Sequence, residues 1–320
     1  MTLERVSNKF RGAWLNWQYE ILASRNTFSL ENVLILAGDP RGGTTWLAEI
    51  LKKLPGTAML WEPLSISQVH QFRDLGFPWR QYIPENGMWP EARQTFDRLF
   101  SGRLLSRYLC RRTSPEEIRK ARFLLIKFCR ANQLLPWLTS EFQFYYAPIY
   151  IVRHPCAVVA SQLNQGGWNH ITPRFEIPEG RFASFYSDHQ SFLSTVDTVE
   201  KKLAATWCLC NKVPLDHPEN NIRWITLTYE SMLQNPAKEL NRIFSRWKIV
   251  FPENLHEWAS KASETTVLES PIQSGKTADQ LSHWKKQLTT KQKDDIYSVL
   301  QYFGIELYDS HELPRKTFVG

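Results

Sequence analysis

The sequence of 320 residues lacks several features that define whole classes of protein. No apolar run approaches the roughly 20 residues that span a bilayer, and the N-terminal segment lacks the apolar core of a signal peptide. Cysteine is scarce: the five cysteines are odd in number and show no paired metal-ligand spacing, so we expect free thiols in a reducing compartment. Repeats, low-complexity tracts and clear linkers are absent as well. These absences favour a cytoplasmic protein with one folded domain over residues 1–320.

The sequence is rich in aromatic residues and has a basic surplus. Its 18 Phe, 13 Trp and 11 Tyr belong to a hydrophobic fraction of 42%, which is enough for the core of a large α/β domain. The net charge of +7 is compatible with nucleic acid, an anionic surface or a polyanionic small molecule as partner. No nucleic-acid recognition motif is present, so we expect no nucleic-acid partner. Part of the surplus crowds between positions 98 and 130, where the simplest interpretation is a solvated helical face; its members are Arg103, Arg107, Arg111, Arg112, Arg119, Lys120 and Arg122.

Short apolar runs alternate with helical patterns along the chain. The runs at 33–37, 122–128, 147–153 and 221–230 predict buried strands, and a final helix reaches Gly304 as its C-cap. This alternation predicts an α/β fold: a P-loop-like, doubly wound, mostly parallel sheet with helices on both faces. Ligands of such sheets bind outside the carboxyl ends of the strands.

Three further segments fall outside this alternation. Residues 8–24 predict an N-terminal helix that packs on the body, and its aromatic, basic pattern also allows peripheral contact with a membrane surface. Residues 62–110 and 164–195 are less regular, and we expect these insertions to cover the site and shape an acceptor pocket. Their aromatic residues include Trp79, Tyr82, Trp89, Trp168, Phe175, Phe182, Phe185 and Tyr186.

The segment AGDPRGGTTW at 37–46 is a glycine-rich turn between the first strand and a helix. Gly38 and Gly43 have the spacing of a nucleotide loop, but Thr44 occupies the position of the loop lysine. Backbone N–H groups and threonine hydroxyls would still bind an anion, with the guanidinium fork of Arg41 above it. No Walker-B strand that ends in Asp is evident.

The segment RHPCAVVASQL follows the strand at 147–153 in the same way. Arg153 leaves the strand end, Pro155 suits the first turn of a helix, and Ser161 lies two turns along it. Arg153 and Ser161 are therefore candidates for a second phosphate site beside the first loop.

Together these motifs resemble those of sulfotransferases that use 3′-phosphoadenosine-5′-phosphosulfate (PAPS). PRGGTTW resembles their 5′-phosphosulfate loop, and RHPCAVVAS resembles their 3′-phosphate motif with the same spacing from arginine to serine. LTYE before a helix also fits, and the tail LSHWKKQLTTKQKDDIYSVLQYFGIELYD resembles the closing segment of bacterial and carbohydrate-type members. The resemblance runs from about residue 33 to 309.

The resemblance implies PAPS as sulfuryl donor and no metal, because a sulfuryl group carries one terminal charge and needs neither the loop lysine nor Mg²⁺. It implies donor-binding roles for eleven residues: Arg41, Gly42, Gly43, Thr44 and Thr45 at the 5′-phosphosulfate, Arg153 and Ser161 at the 3′-phosphate, Trp46 and Tyr229 beside the adenine, and Gly275 and Lys276 closing over the 3′-phosphate.

The implied reaction is in-line attack of an acceptor oxygen or nitrogen on sulfur. Arg41 and Lys127 would stabilise the leaving phosphate. Members that act on phenols and steroids use a histidine two residues after a lysine, whereas Cys129 follows Lys127 at that distance here. Carbohydrate-type members use a glutamate before a proline after the second strand, so we expect Glu62 to be the base. His70, His154, His170 and His189 are alternative bases, and an ion pair with an arginine is the alternative for Glu62.

Several alternatives stay open at this point. The acceptor is a small molecule, a sugar or a lipid-linked alcohol, and the sequence does not separate these. The alternative function is a P-loop-related kinase or nucleotide-binding protein with a degenerate loop. An inactive relative that binds PAPS without turnover is a third possibility, and the sequence gives no oligomeric state.

Overall fold

The apolar runs of the sequence form the strands of a central sheet. The computed structural model describes residues 3–25, 28–165, 171–250 and 277–318. Within them the sheet has five strands, all parallel, in the order β2-β3-β1-β4-β5. Every strand residue is buried, as expected of a parallel sheet that helices cover on both faces. The strands are β1 (Val33–Gly38), β2 (Thr57–Trp61), β3 (Phe123–Phe128), β4 (Ile149–Val152) and β5 (Ile225–Thr228).

Helices occupy most of the remaining described chain. They are α1 (Leu3–Arg25), α2 (Thr44–Leu51), α3 (His70–Asp74), α4 (Pro90–Phe100), α5 (Pro115–Arg119), α6 (Leu135–Glu141), α7 (Pro155–Leu163), α8 (Ser184–Ser187), α9 (Gln190–Leu193), α10 (Val199–Asp216), α11 (Tyr229–Gln234), α12 (Pro236–Trp247), α13 (Thr277–Ser282), α14 (Trp284–Gln287) and α15 (Thr290–Phe303). Gly304 ends α15 with a φ of 65°, as its predicted role as C-cap requires. No helix of the described chain is long and apolar enough to cross a membrane.

The strands divide the interior into two hydrophobic cores because alternate side chains point to opposite faces of a sheet. Val33 and Ile35 of β1 belong to the larger core, which α4, α6, α7, α10 and α15 cover. Leu34 and Leu36 belong to the smaller core, which α2, α11 and α12 cover. Helices therefore pack on both faces, and the predicted doubly wound α/β fold is confirmed. All five cysteines are buried free thiols.

The largest error in the predicted strands falls at 221–230. Only Ile225–Thr228 is extended, because Asn221 adopts a φ of 63° in a turn and accepts a hydrogen bond from the Thr226 N–H at 3.1 Å. The Thr228 hydroxyl then accepts from the Ser231 N–H and starts α11, so Tyr229 is a helical residue. The other predicted strands differ by one or two residues at their ends, and the N-terminal helix is longer than 8–24.

The aromatic side chains of the two insertions pack mainly on the larger core. Trp89 and Tyr186 are buried there, and Tyr82 stacks on Phe185 with ring centroids 4.0 Å apart, which joins the two insertions. Residues 62–110 also contain the regular helix α4, which sequence analysis did not identify. Trp168 lies outside the described residues.

Candidate active site

The carboxyl ends of the five strands meet at one edge of the sheet, and most of the predicted site residues lie there. The strand order places the loop after β1 in the centre, with the ends of β3 and β2 on one side and those of β4 and β5 on the other. A cavity of about 420 Å³ opens at this edge. Its lining includes ten of the predicted residues: Arg41, Gly43, Thr44, Thr45, Trp46, Glu62, Lys127, Arg153, Ser161 and Tyr229. Gly42 is not among the lining residues, and Gly275 and Lys276 lie outside the described part of the chain.

The loop between β1 and α2 is shaped by left-handed backbone. Gly43 precedes α2 with a φ of 93°, and a Cβ at this position would lie 2.4 Å from Cδ2 of Tyr229. Arg41 also has a positive φ, of 70°, which is uncommon for a residue with a side chain. The Gly42 N–H donates to the Asp39 carbonyl at 2.9 Å and closes the turn. A tight turn of this kind directs successive N–H groups toward a bound anion.

Two arginines from separate motifs converge above this loop. Arg41 Nε donates to Ser161 Oγ at 2.9 Å, and Arg153 Nη1 donates to the Arg41 carbonyl at 3.0 Å. Burial, and then the charge of Arg153, lower the pKa of Arg41. The Nε atom of Arg153 is buried without a hydrogen-bond partner in the described structure. Two neighbouring guanidinium groups with an unused donor fit an anion, which would relieve their mutual repulsion.

Tyr229 and Trp46 form the aromatic wall beside these arginines. The guanidinium of Arg153 lies 4.3 Å from the centroid of the Tyr229 ring, and Trp46 meets that ring edge-on at 5.7 Å. Gln280 Nε2 donates to the Tyr229 hydroxyl at 2.9 Å. Trp46 Nε1 is buried, and no described group accepts its hydrogen bond. Both rings therefore line the cavity, and they also belong to the smaller core.

Glu62 lies at the end of β2 in contact with three side chains from the end of β3. Lys127 Nζ donates to Glu62 Oε1 at 2.7 Å, Cys129 Sγ lies 3.2 Å from the same oxygen, and Arg130 Nη1 lies 3.7 Å from Oε2. Burial raises the pKa of Glu62, but the charge and hydrogen bond of Lys127 outweigh it and hold this pKa below its ordinary value. Glu62 is therefore an ionised carboxylate at neutral pH.

The neighbouring thiol is a neutral donor. Burial raises the pKa of Cys129, so the thiol keeps its proton near neutral pH. Thr44 Oγ1 lies 3.3 Å from Cys129 Sγ. This contact connects the phosphate-type loop to the Glu62 cluster, which consists of Glu62, Lys127, Cys129 and Arg130. Glu62 also has a positive φ, of 43°, and left-handed backbone at non-glycine residues is frequent at functional sites.

Of the histidines proposed as bases, His154 is a structural residue. Its Nδ1 accepts a hydrogen bond from the Cys156 N–H at 3.1 Å, and its Nε2 lies 3.0 Å from the Asp309 carbonyl, so both ring nitrogens have partners. Burial lowers its pKa to about 4. His70 is exposed on α3, and His189 packs against Tyr302 and Phe303; neither lines the cavity. His170 lies outside the described residues.

Other lining residues were not identified from the sequence. The α13–α14 region contributes three residues to the cavity lining: Gln280, His283 and Gln287. Their spacing is that of one helix face, and this pattern could have been recognised in the sequence. Arg111 belongs to the basic stretch that we interpreted as a solvated face. In the described chain, no group of three or more His, Cys, Asp or Glu side chains is placed to bind a metal ion.

A buried network of polar side chains holds Asp39, the first residue of the loop after β1. Asp39 Oδ1 accepts from Arg80 Nη1 at 2.7 Å, and Asn132 Nδ2 donates to Asp39 Oδ2 at 3.3 Å. Asn211 of α10 also donates to Asp39, and the Tyr150 hydroxyl donates to Asn211 Oδ1 at 2.6 Å. These bonds fix the first residue of the loop to the insertion at 62–110 and to α10.

The chain is similar to three sulfotransferase structures. The sulfotransferase domain of the Synechococcus PCC 7002 olefin synthase is 20% identical, with a TM-score of 0.43 over 87% of this chain and 95% of that one. Mouse sulfotransferase SULT7A1, complexed with PAP, is 14% identical, with a TM-score of 0.44 over 89% and 88%. The sulfotransferase domain from the curacin biosynthetic pathway is 17% identical, with a TM-score of 0.46 over 87% and 99%. No family model matches the chain, and no curated protein matches it significantly.

Proposed function

We propose that the protein is a PAPS-dependent sulfotransferase that acts on a hydroxyl or amine of a small-molecule, carbohydrate or lipid-linked acceptor. The supporting observation is the convergence of Arg41, Ser161 and Arg153 at 2.9 and 3.0 Å above a phosphate-type loop that lacks its lysine. A donor with two separate anionic groups needs two such cation sites close together.

The position of each residue supports a donor-binding role. The first-turn N–H groups of α2, the Thr44 and Thr45 hydroxyls and Arg41 would bind the 5′-phosphosulfate. Arg153 and Ser161 would bind the 3′-phosphate, and Trp46 and Tyr229 would border the adenine. The buried, unused donor atoms of Arg153 and Trp46 are consistent with a polar ligand between them.

The Glu62 cluster would carry out the transfer. When bound, PAPS supplies an activated sulfuryl group. Glu62 would take the proton of the acceptor hydroxyl as the acceptor oxygen forms its bond to sulfur and the sulfur–phosphate oxygen bond breaks. Lys127 and Arg41 would stabilise the electron pair that stays on the leaving phosphate. A kinase with a degenerate loop is the alternative, and no contact in the described chain specifically favours it.

The first test is the thermal unfolding midpoint with adenosine-3′,5′-bisphosphate, compared with ADP and ATP, each with and without Mg²⁺. A ligand that binds only the native state raises this midpoint according to its occupancy. We expect a large shift with the bisphosphate that does not require Mg²⁺. We also expect the shift to disappear in Arg153→Ala and to persist in Arg174→Ala, an exposed arginine of the insertion.

Circular dichroism of each variant would confirm that a lost shift reflects lost binding rather than lost folding. A shift with ATP that requires Mg²⁺, without any shift from the bisphosphate, would contradict the proposal and support the kinase alternative.

A further inference from the structure

A second group of cations surrounds Glu62 at the β2 end of the cavity. Lys127 and Arg130 both approach the carboxylate of Glu62, at 2.7 and 3.7 Å. Arg111 also lines the cavity, and its guanidinium lies over two aromatic rings. Glu62 is the one carboxylate among the described lining residues. The β2 end of the cavity therefore has three cationic side chains and one carboxylate, that of Glu62.

The strand order separates Arg111 from the proposed donor site. The donor residues lie at the ends of β1, β4 and β5, whereas Arg111 lies over Trp61 at the end of the edge strand β2. Adjacent strands are about 4.8 Å apart, so β2 lies roughly 10 Å from β1, with β3 between them. The positive charge of Arg111 therefore lies at the β2 end of the cavity, away from the proposed donor residues.

Stacking holds the Arg111 guanidinium in place. Its central carbon lies 4.7 Å from the centroid of the Trp61 ring and 5.0 Å from that of Tyr108. Lys127 Nζ lies 3.9 Å from the centroid of the same Trp61 ring. A stacked guanidinium keeps its N–H edge free for a bidentate bond to a carboxylate or phosphate. Trp61 Nε1 is also buried without a hydrogen-bond partner in the described structure. The Trp61 side chain therefore has an unused hydrogen-bond donor beside Arg111.

We propose that the acceptor is an alcohol or amine with its own anionic group, a carboxylate or a phosphate, and that Arg111 binds this group. The inference rests on the proposed function, because it assigns the donor to the other half of the cavity. Lys127 Nζ lies 2.7 Å from Glu62 Oε1 and 3.9 Å from the centroid of the Trp61 ring on which Arg111 stacks, so one small acceptor would place its nucleophile at Glu62 and its anion at Arg111. Arg111 then selects anionic acceptors over neutral ones that carry the same nucleophile.

The test uses protein saturated with adenosine-3′,5′-bisphosphate and isothermal titration with two matched pairs of probes. The pairs are glycerol 3-phosphate with glycerol, and 3-hydroxybutyrate with its methyl ester. A charge-assisted bidentate contact predicts that the anionic member of at least one pair binds about tenfold more tightly or better. We expect Arg111→Gln to abolish this preference and Arg111→Lys to restore part of it. A preference confined to one pair identifies the acceptor anion as a phosphate or as a carboxylate.

Arg103→Gln is the matched control, because Arg103 is an exposed arginine of the same basic stretch that does not line the cavity. We expect it to keep the preference, and both Gln variants to keep wild-type affinity for the bisphosphate. Equal or unmeasurable binding of both members of each pair would overturn the inference, and so would a preference that survives in Arg111→Gln. A tenfold loss of bisphosphate affinity in Arg111→Gln would assign Arg111 to the donor instead. Failure of the proposed function is a separate result: wild-type protein that does not bind the bisphosphate at all.

Discussion

At the scale of single residues, Gly43 shows why the loop before α2 needs its glycine. The backbone there has a φ of 93°, which disfavours any side chain. An added Cβ would also lie 2.4 Å from the Tyr229 ring, which Arg153 covers and which borders the proposed donor site. The loop, the ring and the arginine therefore depend on one another.

We predict that Gly43→Ala destabilises the protein and weakens binding of adenosine-3′,5′-bisphosphate. The left-handed backbone alone costs about 1–2 kcal/mol for a residue with a Cβ, and displacement of Tyr229 adds to this. Gly76→Ala separates the two effects, because Gly76 has a φ of 83° but its added Cβ would meet nothing within 4 Å. Urea unfolding and titration of both variants measure the difference. Equal losses in stability and equal bisphosphate affinity would contradict a role for the contact with Tyr229.

The residues of the proposed donor site were largely predictable, because each belongs to a local motif with a fixed spacing. Arg41, Arg153 and Ser161 come together as their motifs indicate, since parallel strands place successive strand ends at one edge. Arg111 and Gln280 were not predictable in the same way. Neither residue directly follows a strand of the sheet. Their positions at the cavity therefore depend on tertiary packing, which a local motif does not reveal.

At the scale of secondary-structure elements, the ion pair between Asp39 and Arg80 connects the end of β1 to the insertion at 62–110. Both side chains are largely buried, and the Tyr186 hydroxyl of the second insertion donates to the Arg80 carbonyl. Asn211 adds α10 to the same network. Sequence analysis did not identify α10, because buried residues lie on most of its sides and Pro214 interrupts its pattern. A helix buried in this way has no clear apolar stripe.

We predict that Arg80→Met destabilises the protein by about 3–5 kcal/mol, because Asp39 would keep a buried charge without its counter-ion. Arg73→Met is the control: Arg73 belongs to the same insertion, but its ion pair with Asp74 is exposed, and we expect at most about 1 kcal/mol. The double variant Asp39→Asn with Arg80→Met should recover part of the loss, since neither charge remains. Denaturant unfolding of all three variants provides the measurement. Similar losses in Arg80→Met and Arg73→Met would show that the buried pair does not support the loop.

At the scale of the whole molecule, His154 connects the end of β4 and the first turn of α7 to the C-terminal part of the chain. Its ring stacks on Trp284 at 4.5 Å and lies beside Tyr308, whose hydroxyl donates to Glu230 at 2.7 Å. The Glu230 carboxylate in turn accepts from the His154 N–H at 2.9 Å. Burial therefore perturbs two titratable groups in one cluster: it lowers the pKa of His154 and raises that of Glu230.

These two shifts act on stability in opposite directions. His154 has a pKa of about 4 in the folded protein and an ordinary value of 6.5. Between these values the unfolded chain binds a proton that the folded protein does not, so this group destabilises the fold as pH falls from 6.5 to 4. The full effect is about 3 kcal/mol. Glu230 takes up its proton more readily in the folded protein, which favours the fold at acid pH.

We predict that His154→Asn flattens the dependence of stability on pH between 4.5 and 6.5. The Asn side chain can still accept from the Cys156 N–H at the start of α7, but it does not titrate. The lost contacts with Trp284 and Asp309 lower the free energy of unfolding by a similar amount at every pH. The slope of this free energy against pH depends only on the difference in bound protons between the folded and unfolded chains. Urea unfolding from pH 4.5 to 7.5 gives both slopes, and their difference isolates His154 because Glu230 is present in both proteins. If the two proteins showed parallel curves of stability against pH, His154 would have the same pKa in the folded and unfolded chains. That result would contradict the burial of its ring and its contacts with Cys156 and Asp309.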